Sequence, residues 1–337
     1  MKVVFMGSDP IALPVLKHLL GLKKATFELS AVYTQPDRKS GRGMKLRANE
    51  IKTWALEEGL PVHQPLKCGA EDAERMKQEG VDLLLVMAYG QLLPSSILKV
   101  APLGILNLHA SILPRLRGAS PIHTSVALGL PETGVSLMRI TPKMDAGPVA
   151  DVERVAIGPS DTSGDVHAKL GQACIPLMDR CLDAIAAGNL TFHEQDLSKV
   201  TYCRIIEKSD ADLDFNQPAE VLASRVRAFT PWPGSRFPYH GKEIHILEAE
   251  ASLDETSAEP GSLEMDPPGT LRIACGSGSL VVKKLQRPGG NPLAVETFLR
   301  GFHMESGEVL QSREMRALES ATPFPHRRRG NSAKGNT

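Results

Sequence analysis

Lys2-Val3-Val4-Phe5-Met6-Gly7-Ser8-Asp9-Pro10-Ile11-Ala12 decides the fold class. Four apolar residues, 3–6, end at a glycine and give way to the amphipathic stretch 10–20, so a strand turns directly into a helix. The same grain repeats outward. Strands are predicted over 29–33, 83–87, 105–108 and 135–140, and helices over 50–58, 70–79 and 121–128. Strands alternating with helices require right-handed crossovers, which gives an α/β fold with a Rossmann-like, mostly parallel sheet covered on both faces. Sites in such sheets lie beyond the carboxyl ends of the strands. A nicotinamide-binding G-x-G-x-x-G should follow the first strand, but residues 7–12 hold one glycine and a proline. That dehydrogenase reading is discarded.

The chain has 337 residues, which suggests two domains. A helix is predicted over 162–187, with Thr162 as cap, Asp165 three residues on and Gly188 after its end. Pro176 is expected to kink it. This closes a first domain at 1–189, followed by a linker at 190–204. A smaller second domain at 205–313 shows short strands over 243–248, 271–274 and 280–285, with helices over 218–229 and 293–300. Close spacing and turns such as Pro267-Pro268-Gly269 suggest a small β-barrel. Trp232, between Pro231 and Pro233, is expected to pack as an anchor rather than serve as a base-stacking platform. Residues 314–337 read as a frayed polar tail ending in the basic run 326–329.

Lys plus Arg (39) balance Asp plus Glu (39), which excludes a positive coat but leaves room for a local basic patch. Five isolated cysteines, none in a C-x-x-C pair, read as free and buried, and no spacing of His or Cys suggests a metal. There is no signal-like leader and no apolar run of membrane-spanning length, so a cytoplasmic protein with no membrane partner is expected.

Chemistry concentrates in residues 104–121. Asn107 and His109 sit two apart in an extended segment and project from one face, just where the apolar strand meets a loop holding Pro114 and Gly118. An amide and an imidazole there can stabilise an oxyanion and move a proton. Asp145, in Met144-Asp145-Ala146-Gly147-Pro148 just past the strand ending near 140, can reach His109 across neighbouring strand ends of a parallel sheet. Taken singly, His109 also reads as a strand-end histidine satisfied by backbone, and Asp145 as a turn aspartate.

Asn107-Leu108-His109-Ala110-Ser111-Ile112-Leu113-Pro114-Arg115-Leu116-Arg117-Gly118, followed by Met144-Asp145-Ala146-Gly147-Pro148, resembles the signature of the formyltetrahydrofolate-dependent formyltransferases. The likeness extends through 5–8, 33–38, 41–43, 86–90, 132–135, 161–164, 227–234 and 298–301. It favours the branch acting on methionyl-tRNA. The resemblance implies transfer of the formyl group of 10-formyltetrahydrofolate to the amine of methionyl initiator tRNA, by a monomer with an OB-like tRNA-binding second domain and no metal. Asn107 would donate to the oxyanion, His109 would bond it and assist proton movement, and Asp145 would orient His109 and help take the proton. Ser111, Ile112, Leu113 and Pro114 would lie along the folate, with Tyr89 and Gly90 near its pterin end.

The basic loop 37–47 would enter the acceptor end of the tRNA, using Arg38, Arg42, Lys45 and Arg47. On its own it also reads as a solvated charge run, or as a segment disordered until tRNA binds. The chain departs from the pattern at Leu116, where an aromatic is common, and at the loop exit Asn49-Glu50-Ile51-Lys52. A basic pair is missing after Gln286, so contacts are expected at Lys283, Lys284 and Arg287 instead. The alternatives are a formyltransferase of the same fold acting on an amino-sugar nucleotide, which would not need the basic loop, and a non-catalytic tRNA-binding module.

Glycines flank Arg42 and free its backbone, while a guanidinium stacks on a base and bonds a phosphate in a way an ammonium cannot copy. Arg42→Lys is therefore expected to lose most discrimination between initiator and elongator methionyl-tRNA. The check is the ratio of formylation rates for the two tRNAs, and an unchanged ratio would reduce the loop to a source of charge.

Overall fold

The computed structural model describes residues 1–22, 27–40, 44–254 and 256–325. Arg42 and the basic run 326–329 lie outside them. The first part runs β1 (Lys2–Gly7), α1 (Leu13–Gly21), β2 (Glu28–Tyr33), β3 (Arg38–Ser40), β4 (Lys45–Arg47), α2 (Glu50–Glu57) and β5 (Val62–His63). It continues with α3 (Ala70–Gln78), β6 (Leu83–Met87), α4 (Ser95–Leu98), β7 (Ile105–His109), β8 (Arg117–Gly118) and α5 (Pro121–Ala127). β9 (Glu132–Arg139), β10 (Val149–Ala156) and α6 (Ser163–Ala186) complete it.

Seven strands form one sheet in the order β10-β9-β7-β6-β1-β2-β5. From β7 to β5 the pairing is parallel. Alternation sorts the side chains: Val3, Phe5, Leu83, Leu85 and Met87 enter one core cluster, while Val4, Met6, Leu84 and Val86 enter the cluster on the opposite face. Both faces are buried, which explains the near-continuous apolar runs.

The sequence expectation fails at one edge. β9 runs antiparallel to β7, with Leu106 opposite Arg139 and His109 opposite Ser136. Its carboxyl end therefore lies beside the start of β7, not beside His109. β10, which the sequence reading did not predict, pairs antiparallel with β9. Its residues, Val-Ala-Asp-Val-Glu-Arg-Val-Ala, are half-exposed, and Arg180 of α6 bridges Asp151 and Glu153 across it. α6 starts at the expected capping box of Thr162 and Asp165 and is continuous through Pro176.

The second part holds β11 (Tyr202–Cys203), α7 (Ala219–Phe229), β12 (Ser235–Tyr239), β13 (Lys242–Ser252), β14 (Leu263–Glu264) and β15 (Arg272–Ala274). β16 (Ser279–Gln286), β17 (Leu293–Ala294), α8 (Val295–Gly301) and β18 (Glu319–Ser320) follow. β12 to β17 make an all-antiparallel sheet around its own core, with α7 packed across β13. Trp232, expected to pack, is 50% exposed, while Phe229, three residues earlier, is fully buried.

Two expectations about connections are overturned. The segment read as a linker, 190–204, carries β11 and the buried Gln195. Residues 314–325, the described part of the segment read as a frayed tail, return to the first domain: β18 pairs with β11, which pairs with β8, and Leu318 is buried in the first domain's core. Leu318, 3% exposed, is the apolar anchor of this segment, beside the polar ties of Glu319 to Arg115 and Thr201. Leu318→Ala is expected to destabilise the chain by about 2–5 kcal/mol, the usual range for truncating a buried leucine. Urea unfolding of the full chain measures it, and a loss near zero would mean the segment merely lies on the surface.

Candidate active site

β7 carries Asn107 and His109 on one face, while Leu106 and Leu108 point the other way into the first core cluster. His109 is 6% exposed. Its Nε2 lies 3.1 Å from the carbonyl of Leu116, and since a carbonyl only accepts, Nε2 carries the proton. Nδ1 faces the Oδ2 of Asp145 at 3.7 Å, just beyond hydrogen-bond length. The side-chain amide of Asn107 is half-buried and has no hydrogen-bond partner among the described residues. An uncommitted donor thus stands beside a histidine–carboxylate pair.

The structure brings these three together by a different route from the one the sequence suggested. Because β9 ends at the far end of β7, residues 141–148 fold back to deliver Asp145. Asp145 sits there with φ +47°, a left-handed conformation that aspartate tolerates better than most residues. Its Oδ2 accepts from the backbone N–H of Gly118 at 2.8 Å. Gly147 is required in this turn, since a Cβ there would lie 1.8 Å from the carbonyl of Arg139. Leu116, where the expected aromatic is missing, is 2% exposed and also left-handed at φ +59°.

Several supporting residues carried no signal in the sequence. Ser136 donates to the carbonyl of Ser111 and accepts from the N–H of Leu113, fixing the folate-candidate stretch 111–114 against β9. Ser111 itself is buried and donates to the carbonyl of Arg115. Thr201 accepts from the N–H of Leu116 and donates to Glu319, which also takes a bidentate ion pair from Arg115. The side chain of Gln195 donates to the carbonyls of Asp145 and Gly147.

A cavity of about 510 Å³ opens beyond β1, β2 and β6, lined among others by Ser8, Gln35, Arg38, Arg47, Tyr89 and Gly90. Tyr89 contributes backbone here: its carbonyl accepts from Gln35, while its ring is 2% exposed in the core, where burial holds the phenol above its ordinary range. Arg38 and Arg47 face each other at the base of a β3–β4 hairpin that carries Lys45, so the basic segment is structured on both sides of residues 41–43. Its exit is tied by Asn49, which caps α2 through the N–H of Lys52 and donates to Thr34 and the carbonyl of Gln35. Lys52 and Gln64 then grip Asp37 and hold its carboxyl below the usual range. Lys283 and Lys284 are both outward because the β13–β16 register slips around them, and each pairs with a glutamate of β13. Among the described residues no cluster of His, Cys, Asp and Glu could hold a metal, and no helix is long and apolar enough to cross a membrane.

A formyl transferase family model matches residues 1–178, and the model of the formyl transferase C-terminal domain matches residues 205–303. The methionyl-tRNA formyltransferase of Methylococcus capsulatus is 40% identical over 311 residues, spanning 92% of this chain and 99% of that protein. The one from Methylobacterium sp. (strain 4-46) is 43% identical over 315 residues, with 92% and 99% covered. The chain belongs to the methionyl-tRNA formyltransferase family. Among solved structures, the sugar 3N-formyl transferase WlaRD, determined with dTDP and 5-N-formyl-THF, gives a TM-score of 0.63 at 16% identity, covering 86% of this chain and 99% of its own. The N-formyltransferase of Helicobacter canadensis gives 0.62 at 17%, covering 85% and 99%. Those two likenesses speak for the fold.

This formyltransferase holds a second titratable pair at its cavity wall. Asp9, at the carboxyl end of β1, accepts from Nε2 of His167 at 2.5 Å. That bond raises His167 above its ordinary value against the opposing effect of burial. Burial works to raise Asp9, but His167 and the N–H of Ile11 outweigh it and hold the carboxyl low. His123, half-buried beside them, is pushed down by desolvation and by His167. A raised histidine contributes stability fully below the unfolded value and loses it as pH climbs through the folded one. The stability gap between the parent and His167→Gln should therefore shrink from about pH 6 to about pH 9. Urea midpoints at the two pH values measure the gap, and a constant one would show that the pair is not ionic.

Proposed function

We propose that the chain transfers the formyl group of 10-formyltetrahydrofolate to the free amine of methionyl initiator tRNA, giving N-formylmethionyl-tRNA for translation initiation. The observation that carries this reading is the trio at the end of β7: a free Asn107 amide beside His109, with Asp145 at 3.7 Å, in a chain about 40% identical to enzymes named for this reaction.

As the methionine amine attacks the formyl carbon, a C–N bond forms and the carbonyl electron pair moves to oxygen. Asn107 meets that oxyanion with an N–H that has no other partner among the described residues, so no existing hydrogen bond has to be given up. His109 and Asp145 act as one acid–base unit. They accept the proton released by the attacking nitrogen and return it to the departing N10 of the folate as the tetrahedral adduct collapses. A charged imidazole draws Asp145 in across the few tenths of an ångström that separate 3.7 Å from a hydrogen bond. The stretch Ser111, Ile112, Leu113 and Pro114, pinned to Ser136, is assigned to the folate, with the backbone at Tyr89 and Gly90 on the neighbouring strand end. Arg38, Arg42, Lys45 and Arg47, with Lys283 and Lys284 on the second domain, are assigned to the tRNA. The enzyme works as a cytoplasmic monomer without metal.

The basic hairpin, whose base places Arg38 and Arg47 at the cavity, supports tRNA over an amino-sugar nucleotide, which would not need this loop. Incubation with 10-formyltetrahydrofolate and charged initiator or elongator methionyl-tRNA tests the assignment directly. Transfer to a sugar nucleotide alone would replace it, and tRNA retention without turnover would reduce the chain to a binding module. Asn107→Ala, His109→Ala and Asp145→Ala are each expected to cut turnover by about 10²–10³-fold, with tRNA affinity little changed. Residues acting as a unit are non-additive, so the triple variant should be little worse than the worst single one. Single-turnover formylation measures both, and near-normal turnover of the Asp145 variant would remove its role.

A further inference from the structure

Gln195 lies fifty residues beyond Asp145, in the segment between the two domains, and is 9% exposed. Its side-chain orientation follows from chemistry. Arg117 is 4% exposed and directs Nε and Nη2 at the Oε1 of Gln195, at 3.0 and 2.7 Å. A guanidinium only donates, so the oxygen of the amide must face it. The amide nitrogen then faces two groups that only accept, the carbonyls of Asp145 at 2.9 Å and Gly147 at 2.7 Å. Every partner is an obligate donor or an obligate acceptor, and the amide fits in one sense only.

The turn needs such a hold. Asp145 is in the left-handed region, and Gly147 is pressed against the carbonyl of Arg139. Arg117 belongs to β8, whose next residue, Gly118, gives its N–H to the Asp145 carboxylate. One short strand therefore grips the turn twice, by backbone at the carboxylate and through Gln195 at the carbonyls. A charged guanidinium buried against a neutral amide is a costly arrangement for stability alone, and it polarises the amide toward the two carbonyls it serves.

We propose that Gln195 is a positioning residue for formyl transfer, holding the 145–147 turn so that Asp145 faces His109, with Arg117 fixing the sense of its amide. The inference rests on the role assigned to Asp145. A glutamate at this position would keep Arg117 as an ion-pair partner but turn a carboxylate oxygen toward two carbonyls, repelling the turn. An asparagine keeps the amide but is one methylene too short to span both sides.

The test compares the parent, Gln195→Glu, Gln195→Asn, Asp145→Asn and the Gln195→Glu/Asp145→Asn double variant, each as the full chain. Rates are normalised to sites titrated with a folate analogue, so that unfolded protein does not count. The expected result is a fall of about 10- to 100-fold in kcat for both Gln195 variants, with KM for folate and tRNA within about twofold, and no further loss when Gln195→Glu is added to Asp145→Asn. Parent-like kcat in either folded Gln195 variant, with Asp145→Asn impaired, would overturn the inference and leave the role of Asp145 standing. The same fold-loss on the Asp145→Asn background would also overturn it, because Gln195 would then act elsewhere. An unimpaired Asp145→Asn enzyme would remove the reading of Asp145 and this inference with it.

Discussion

The candidate catalytic pair is held by main chain. The Leu116 carbonyl accepts a hydrogen bond from Nε2–H of His109, and the Gly118 N–H donates to the Asp145 carboxylate. Two peptide groups two residues apart thus fix both members of an acid–base pair, and they do so from unusual backbone conformations. Leu116 is left-handed at φ +59° and Gly118 sits at φ +121°, where a Cβ would come within 2.2 Å of the Cys203 carbonyl. Such conformations persist only where the surroundings over-determine them. Here they do: β11 pairs with β8, Thr201 bonds the Leu116 N–H, and Glu319 of β18 bonds Thr201 and Arg115.

That arrangement makes the two domains one mechanical object. Ala228 and Phe229, at the end of the second domain's α7, are buried in the first domain's core, as are Ile206 and Leu318. Arg227 reaches the carbonyls of Gly158 and Asp161, and Ser163 bonds the carbonyl of Ala228. Arg204 and Asp210 form a buried ion pair at the entry to the second domain. In that pair burial pushes the Asp210 carboxyl up, while Arg204 outweighs it. Removing one partner would strand the other charge in the interior. The basic hairpin and the paired lysines of β16 are therefore carried on a frame that includes the support of the acid–base pair.

What the sequence made legible follows from periodicity and local chemistry. Val3 to Met6, Leu83 to Met87 and the strand ending at His109 announce themselves as apolar runs because they are buried on both faces. Thr162 and Asp165 announce a helix start because capping is local. Asn107 and His109 could be placed on one face by counting. The direction of β9 could not be read, because residues 133–138 are buried as in the parallel strands and strand direction leaves no mark on composition. β10 is half-exposed and charged, so it lacks an apolar signature. Gln195, Thr201, Ser136 and Glu319 were hidden for another reason: each acts through side-chain hydrogen bonds to residues distant in sequence, and its own neighbours in the chain give no sign of those partners. The residues assigned to chemistry were legible; the residues that hold them were not.

The position of β18 in the chain bears on when the enzyme comes into being. Chains leave the ribosome amino end first, and domains generally fold as they emerge. Asn107, His109 and Asp145 are in the first half of the polypeptide, and both matched family segments are complete by residue 303. The strand that braces β11 and β8 arrives only at 319–320. A nascent chain can thus hold two folded domains while the backbone beneath its acid–base pair is still unbraced. A fragment that stops before residue 319 carries every residue assigned to chemistry without the strand that braces β11 and β8.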